Sequence, residues 1–149
     1  MTKLSVEILL IEDNPSDIKL ALHAFKIHHL SSQVYVVRDG AEALEFLFCT
    51  DRYAERRIEE NPKLILLDLN LPLIDGIEVL RQLKSDLRTR HIPIVVMSTS
   101  NKESDLVQSY KLGANSYIVK PLDFAQFSEV VRQLGACWLM LNHVPPVKG

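Results

Sequence analysis

Apolar runs rich in Val, Ile and Leu alternate along this chain with longer stretches whose apolar positions recur at helical spacing. Val6–Ile11 is nearly continuous, interrupted only by Glu7, and stops abruptly at Glu12 and Asp13. A short apolar run ending in charge is how a parallel strand buried on both faces reads. Pro15 stands where a helix can begin, and Ile18, Leu20, Ala21, Leu22, Ala24 and Phe25 supply its inner face. Val34–Val37 is a second strand, and Asp39–Gly40 opens a helix carrying Ala43, Leu44, Phe46 and Leu47. Leu64–Leu67 is a third strand ending at Asp68, and Asp75–Gly76 precedes a helix with Ile77, Val79, Leu80 and Leu83 inward. Pro93 breaks the chain before a fourth strand, Ile94–Met97, and the helix Glu103–Leu112 follows with Gly113 as its cap. Ser116–Val119 is a fifth strand, and Phe124–Leu141 a long last helix before a frayed tail with Pro145 and Pro146. Thr50–Pro62 is strongly charged and aperiodic, and reads as an extended, solvent-facing connection with room for one helical turn.

Strands alternating with helices in this way predict an α/β fold, a parallel sheet covered on both faces. Doubly wound sheets place their active crevice outside the carboxyl ends of the strands. Polar residues fall at those ends: Glu12 and Asp13 after the first strand, Asp68 after the third, Ser98 after the fourth and Lys120 after the fifth. One acid after a strand is more often a helix cap. The whole set, distributed over the central strands, is hard to explain as capping.

Three converging carboxylates repel by about 4 kcal/mol per close pair at an intermediate effective dielectric. Such a cluster needs raised pKa values or a bound cation. Lys120 offsets part of the charge, and a hard divalent ion suits an all-oxygen set better than zinc does. Mg²⁺ fits, because it accepts one or two carboxylates and keeps places for waters and a phosphate oxygen. A metal beside a carboxylate points to phosphoryl chemistry, with Asp68 as nucleophile forming an acyl phosphate. Mg²⁺, the Lys120 ammonium and the Ser98 hydroxyl would each take one phosphoryl oxygen. Thr99 stands next to Ser98, and a shift of one residue in the strand would exchange the two hydroxyls.

Composition narrows the classes. At 149 residues the chain fits one domain, with a core over about 6–134, an extended last helix and tail over 135–149, and no output domain. A hydrophobic share of 47% provides a proper core, and a net charge of -2 argues against a nucleic-acid surface. No apolar run approaches the roughly 18 residues needed to span a bilayer, and Met1–Lys3 do not lead into a signal peptide. Cys49 and Cys137 lie far apart in no ligand spacing, which favours a cytoplasmic protein.

The motifs carrying this chemistry are "LLIEDN", "LILLDLNLPLIDG", "IVVMSTS" and "SYIVKP". In this order the chain resembles the receiver domains of two-component response regulators, from Val6 to about Leu134. The resemblance implies a flavodoxin-like fold, a five-stranded parallel sheet in the order 2-1-3-4-5 flanked by five helices. It implies Asp68 as phosphoacceptor for a sensor histidine kinase, with Asp13, Asp68 and the backbone carbonyl of Asn70 on the metal and Glu12 acting through water. It further implies a Lys120–Pro121 peptide that is often cis, and a switch in which Tyr117 moves when Ser98 engages the phosphoryl group. Helix four, strand five and helix five would carry the changed surface, and Ser100 with Asn70 would tune the phosphoryl lifetime. The long connection after helix two and the "ACWLML" extension look like the stand-alone regulators paired with bacterial, particularly cyanobacterial, phytochromes. That narrower likeness implies a light-regulated kinase as donor and a homodimer through the helix four to helix five face. Output would run through an unnamed downstream protein.

Rival readings are weaker. A phosphohydrolase with an aspartate nucleophile needs an acid two places later, where Asn70 stands. The chain is therefore read as a slowly dephosphorylating switch, not a turnover enzyme. A pseudo-receiver would lack an acceptor or metal residue, and a flavodoxin-like carrier would not put "IEDNPSD" beside a phosphate. His23, His28, His29, His91 and His143 lie in no matching constellation, and Trp138 reads as packing with Phe124 and Phe127.

Overall fold

Each continuous apolar run supplies two cores, because successive strand residues point to opposite faces of one sheet. The computed structural model describes residues 6–30, 33–120 and 123–136. Strands β1 (Ile8–Ile11), β2 (Val34–Val37), β3 (Leu64–Asp68), β4 (Ile94–Ser98) and β5 (Ser116–Val119) pair in parallel in the order β2-β1-β3-β4-β5. They alternate with α1 (Pro15–Ile27), α2 (Gly40–Phe48), α3 (Gly76–Ser85), α4 (Glu103–Leu112) and α5 (Phe124–Leu134). The fold class is the one the sequence predicts.

Leu9, Ile11, Ile65, Leu67 and Val96 face α2 and α3, meeting Phe46, Leu47, Val79, Leu80 and Leu83. Ile8, Leu10, Leu64, Leu66 and Val95 face the other way, onto Ala21, Ala24 and Phe25 of α1 and Phe127 and Val131 of α5. Every residue of β1, β3 and β4 is buried. Burying each apolar side chain among them is worth roughly 1.5–3 kcal/mol, so charge is excluded from the middle of these strands and gathers at their ends.

Caps account for some of the acids that follow strands. Asp39 accepts from the N–H of Glu42 at 2.6 Å, Asp75 from Glu78 at 3.0 Å, and Asp123 from Gln126 at 2.7 Å. Asn14 caps α1 by accepting from Ser16 and Asp17, with Pro15 at the first helical position. Glu12, Asp13 and Asp68 have no such duty assigned by these caps. Gly113 ends α4 in the left-handed conformation at φ 111°.

The connection after α2 corrects the sequence reading. Residues 50–62 face solvent at most positions, as expected, but they are not extended: they form two 3₁₀ turns, Asp51–Tyr53 and Ile58–Glu60, where the sequence predicts room for one helical turn, and they fold back on α2. The Arg56 guanidinium lies 3.6 Å from the centre of the Phe46 ring, and the Asn61 amide donates to the Leu47 carbonyl at 2.9 Å. The anchors are an arginine, a tyrosine and an asparagine without period, so hydrophobic patterning does not reveal them. β1 starts at Ile8, later than expected, although the Glu7 backbone still donates to the Gln33 carbonyl and accepts from the Lys63 and Leu64 N–H groups, just before β2 and at the start of β3. Phe127 is buried and Phe124 half-buried against α1, as expected. α5 is described to Leu134, and the expected continuation of the last helix to Leu141, Trp138, Cys137, His143, the proline tail, Met1–Lys3 and the Lys120–Pro121 peptide lie outside the described residues.

Candidate functional site

Register brings the polar strand ends together. Ile11 pairs with Leu67, so the residues that follow, Glu12 and Asp68, emerge side by side. Asp68 pairs with Met97, and Ser98 with Val119. Lys120 then donates its backbone N–H to the Ser98 carbonyl at 2.7 Å. Gly76 is what lets the next helix start so close: a Cβ there would lie 2.4 Å from the Asp68 carbonyl oxygen.

One carboxylate oxygen each from Glu12, Asp13 and Asp68 lies within 4.8 Å of the others. Glu12 and Asp68 are buried and Asp13 is exposed, so the cluster opens to solvent on one side. The Lys120 ammonium donates to Glu12, to Asp17 at 2.9 Å and to Asp68 at 3.4 Å. The sequence reading missed Asp17. It sits in the first turn of α1, where an acid is ordinary on dipole grounds, so nothing in its spacing singled it out.

Charge is out of balance here, with Glu12, Asp13, Asp17 and Asp68 set against Lys120. Burial raises the Glu12 pKa to about 7, reinforced by its hydrogen bond with Asp68, while Lys120 pulls the other way. Burial alone would lower the Lys120 pKa, but its bonds to Glu12 and Asp17 and the field of Asp68 outweigh that and hold it above the usual lysine value. An oxygen-only donor set with surplus negative charge and one exposed side fits a hard divalent cation.

The two hydroxyls after Met97 differ in place. Ser98 is buried, and its Oγ accepts from the Ser100 N–H at 3.1 Å. Thr99 is exposed, and its Oγ1 accepts from the Asn70 amide at 3.3 Å. Asn70 therefore turns its side chain toward Thr99, while its N–H donates to Asp68 Oδ1 at 3.1 Å. Tyr117 is half-buried, and its hydroxyl donates to the Ser100 carbonyl at 3.0 Å. Ser100 itself donates to Asp105 in the first turn of α4. Among the described residues no buried side-chain polar atom lacks a partner.

Among the described histidines, two are engaged between helices. His28 bonds Ser128 at 2.9 Å between α1 and α5, and His23 meets the Phe124 ring edge-on at 4.7 Å. Among the described residues no helix is long and apolar enough to cross a membrane.

Residues 8–132 match the response regulator receiver domain family. The chain is 39% identical over 138 residues to the probable methanogenesis regulatory protein FilR2 of Methanothrix harundinacea, covering 93% of this chain and 86% of the relative. It is 36% identical over 138 residues to the response regulator Rcp1 of Synechocystis sp., covering 93% and 92%. The Mn²⁺-bound form of Rcp1 superposes with a TM-score of 0.82 at 35% identity over 94% of this chain and 99% of that one. The phosphorylated cyanobacterial phytochrome response regulator RcpA superposes with a TM-score of 0.83 at 41% identity, covering 94% and 98%.

Proposed function

Because this chain belongs to the response regulator receiver family, we propose that Asp68 is its phosphoacceptor and takes a phosphoryl group from the histidine of a sensor kinase. The observation that carries this is the Lys120 ammonium 3.4 Å from Asp68 Oδ2, beside a carboxylate cluster that opens to solvent. A carboxylate lone pair of Asp68 forms the new O–P bond. The donor's N–P bond breaks, its electron pair stays on the imidazole, and that nitrogen takes a proton from solvent. Lys120 holds one phosphoryl oxygen and Ser98 a second, each matching charge that grows in the transition state.

Asp13, Asp68 and the backbone carbonyl of Asn70 would hold Mg²⁺, with Glu12 one water away. The ion would supply charge neutralisation at the phosphoryl oxygens. The Mn²⁺ in Rcp1 supports a divalent metal of this kind. Asn70, two places after Asp68, has no acidic proton to give a leaving group, which favours slow autodephosphorylation and a switch over turnover.

The switch we propose joins Ser98 to Tyr117 through Ser100. Drawing Ser98 toward the phosphoryl group frees the Ser100 N–H, loosens the Ser100 carbonyl from Tyr117 and lets α4 shift. Leu106, Val107 and Tyr110 of α4 and Val119 of β5 are exposed apolar residues on that face. They support a homodimer or a downstream protein as its reader. Likeness to RcpA supports a phytochrome-type kinase as donor. Two widely separated cysteines in the sequence favour a cytoplasmic protein.

Incubation with Mg²⁺ and acetyl phosphate, followed by intact-mass measurement, tests the acceptor. We expect one phosphoryl adduct that is lost in Asp68→Asn and on chelation. An adduct that survives both would overturn the reading.

A further inference from the structure

Glu12, Asp17 and Asp68 share one ammonium, and their hold on it is unequal. A lysine has three N–H donors. Lys120 directs them to Glu12, to Asp17 at 2.9 Å and to Asp68 at 3.4 Å, so none is left for a further acceptor. The ammonium therefore lies closer to the first turn of α1 than to the carboxylate that reacts.

Burial decides which partner can let go. The Glu12 side chain is 1% exposed and that of Asp68 6%, so either carboxylate would be left charged and dry if the ammonium withdrew. The Asp17 side chain is 40% exposed, and water can replace the lost bond there. Its backbone stays anchored meanwhile, the N–H donating to the Asn14 cap at 3.1 Å. A cavity of about 50 Å³, lined by Glu12, Asp17, Lys120, Met97 and Phe127, lies beside the contact. The ammonium can thus move without forcing a packed neighbour aside.

Resting on the reading of Asp68 as acceptor, we infer that Asp17 is a positioning residue that competes with the phosphoryl group for Lys120 and so weakens the phosphorylated state. A phosphoryl group brings about two negative charges and draws the ammonium toward Asp68. The bond to Asp17 is the one that this movement loosens. The Asp17–Lys120 pair stabilises the unphosphorylated site and is given up in the phosphorylated one. Because the contact lies wholly within the receiver, it shifts the equilibrium alike for every phosphoryl donor. The contrary role would be aiming, in which Asp17 steadies Lys120 against the phosphoryl oxygen and strengthens that state. The two roles differ in sign.

The test titrates beryllofluoride, a phosphoryl mimic, into the whole chain by calorimetry at saturating Mg²⁺. Asp17→Asn keeps an oxygen acceptor in place and removes the charge, whereas Asp17→Ala removes both. We expect both variants to bind beryllofluoride about threefold to fivefold more tightly than the unmodified protein, the scale of one part-exposed ion pair. The side-chain ¹⁵N resonance of Lys120 gives a readout that a merely structural role would not move. It should differ between the unmodified protein and Asp17→Asn before beryllofluoride is added. Once the mimic is bound the two resonances should coincide, because the ammonium has then left Asp17. Unchanged or weaker binding in Asp17→Asn, weaker binding in Asp17→Ala, or bound-state resonances that still differ would each overturn the competition. Beryllofluoride that fails to bind even the unmodified protein would instead sink the acceptor reading, and the competition with it.

Discussion

The Tyr117 hydroxyl donates to the Ser100 carbonyl at 3.0 Å while the Ser98 hydroxyl holds the N–H of that same Ser100 at 3.1 Å. One loop residue thus ties the aromatic ring of β5 to the buried hydroxyl of β4. Through its own hydroxyl it also reaches Asp105 on α4. Ser98→Ala should leave Asp68 able to take a phosphoryl group but uncouple α4. Amide resonances of Leu106, Val107 and Tyr110, followed by NMR on adding beryllofluoride, should move in the unmodified protein and hardly move in Ser98→Ala. Full movement in the variant would exclude this route. Tyr117→Phe should cost about 1 kcal/mol in urea unfolding, the worth of one such bond.

Lys120 is the counter-charge for Glu12, Asp17 and Asp68, and its side chain is only 11% exposed. Lys120→Met leaves those carboxylates facing one another without a cation. Without added metal it should lose about 3 kcal/mol, the range for breaking a buried pair by removing one partner. The loss should be smaller at about pH 5, where Glu12, with its pKa near 7, already carries a proton. Urea titrations at both pH values measure the difference, and equal losses would count against the electrostatic account.

The raised Glu12 pKa also sets a sign for metal binding. A carboxyl whose pKa rises from 4.5 to about 7 on folding holds its proton more tightly in the native state. Its contribution to stability is full below pH 4.5 and is lost as pH rises through 7. A cation competes with that proton, so Mg²⁺ affinity should weaken as pH falls below about 7, by at most tenfold per unit for one linked proton. Thermal stabilisation by Mg²⁺ should accordingly be larger at about pH 8 than at about pH 6. Calorimetric titration across that window checks the slope, and Glu12→Gln should flatten it.

Much of this was legible in the chain itself. The strands of the middle of the sheet are apolar up to their last residue, so Glu12, Asp68, Ser98 and Lys120 stood out as interruptions at one rim. What stayed hidden follows from the same physics. Asp17 looks like any first-turn acid on a helix, and only the reach of a lysine from the far end of the chain gives it a role. The Tyr117–Ser100 bond joins a side chain to a backbone carbonyl, which carries no residue signature. The left-handed φ of 69° at Leu73 is a dihedral angle that neither composition nor periodicity encodes.

Gly76 should be the least replaceable residue near the cluster. A Cβ there meets the Asp68 carbonyl oxygen at 2.4 Å and the Leu69 Cα at 2.5 Å, both backbone atoms that cannot rotate aside. Gly76→Ala should push α3 away from β3 and cost roughly 1–3 kcal/mol or more. Because the displaced backbone is that of Asp68, Mg²⁺ affinity should fall with stability. A variant as stable and as tightly metal-binding as the original would show that the helix can slide at no cost.

Arg56 carries the connection that the sequence presents as a solvated strip. Its guanidinium lies over the Phe46 ring, donates to the Phe46 carbonyl and reaches Asn61 Oδ1 and the Glu60 carbonyl, both at 3.3 Å. Phe46 in turn stacks on Tyr35 at 5.0 Å and meets Tyr53 edge-on at 5.0 Å. A lysine keeps the charge but neither the flat face nor the fork of donors. Arg56→Lys should therefore destabilise almost as much as Arg56→Ala, by about 1–2 kcal/mol, on the scale of a partly desolvated cation–π contact with its hydrogen bonds. Arg56, Phe46 and Tyr53 line a cleft together with Val6, Glu7 and Lys63, which precede β1 and β3, so it lies at the opposite end of the sheet from Asp68. Both variants should accept phosphoryl from acetyl phosphate at the unmodified rate while unfolding at lower urea. If Arg56→Lys matched the unmodified protein in urea, charge alone would be holding the connection and the stacking argument would fail.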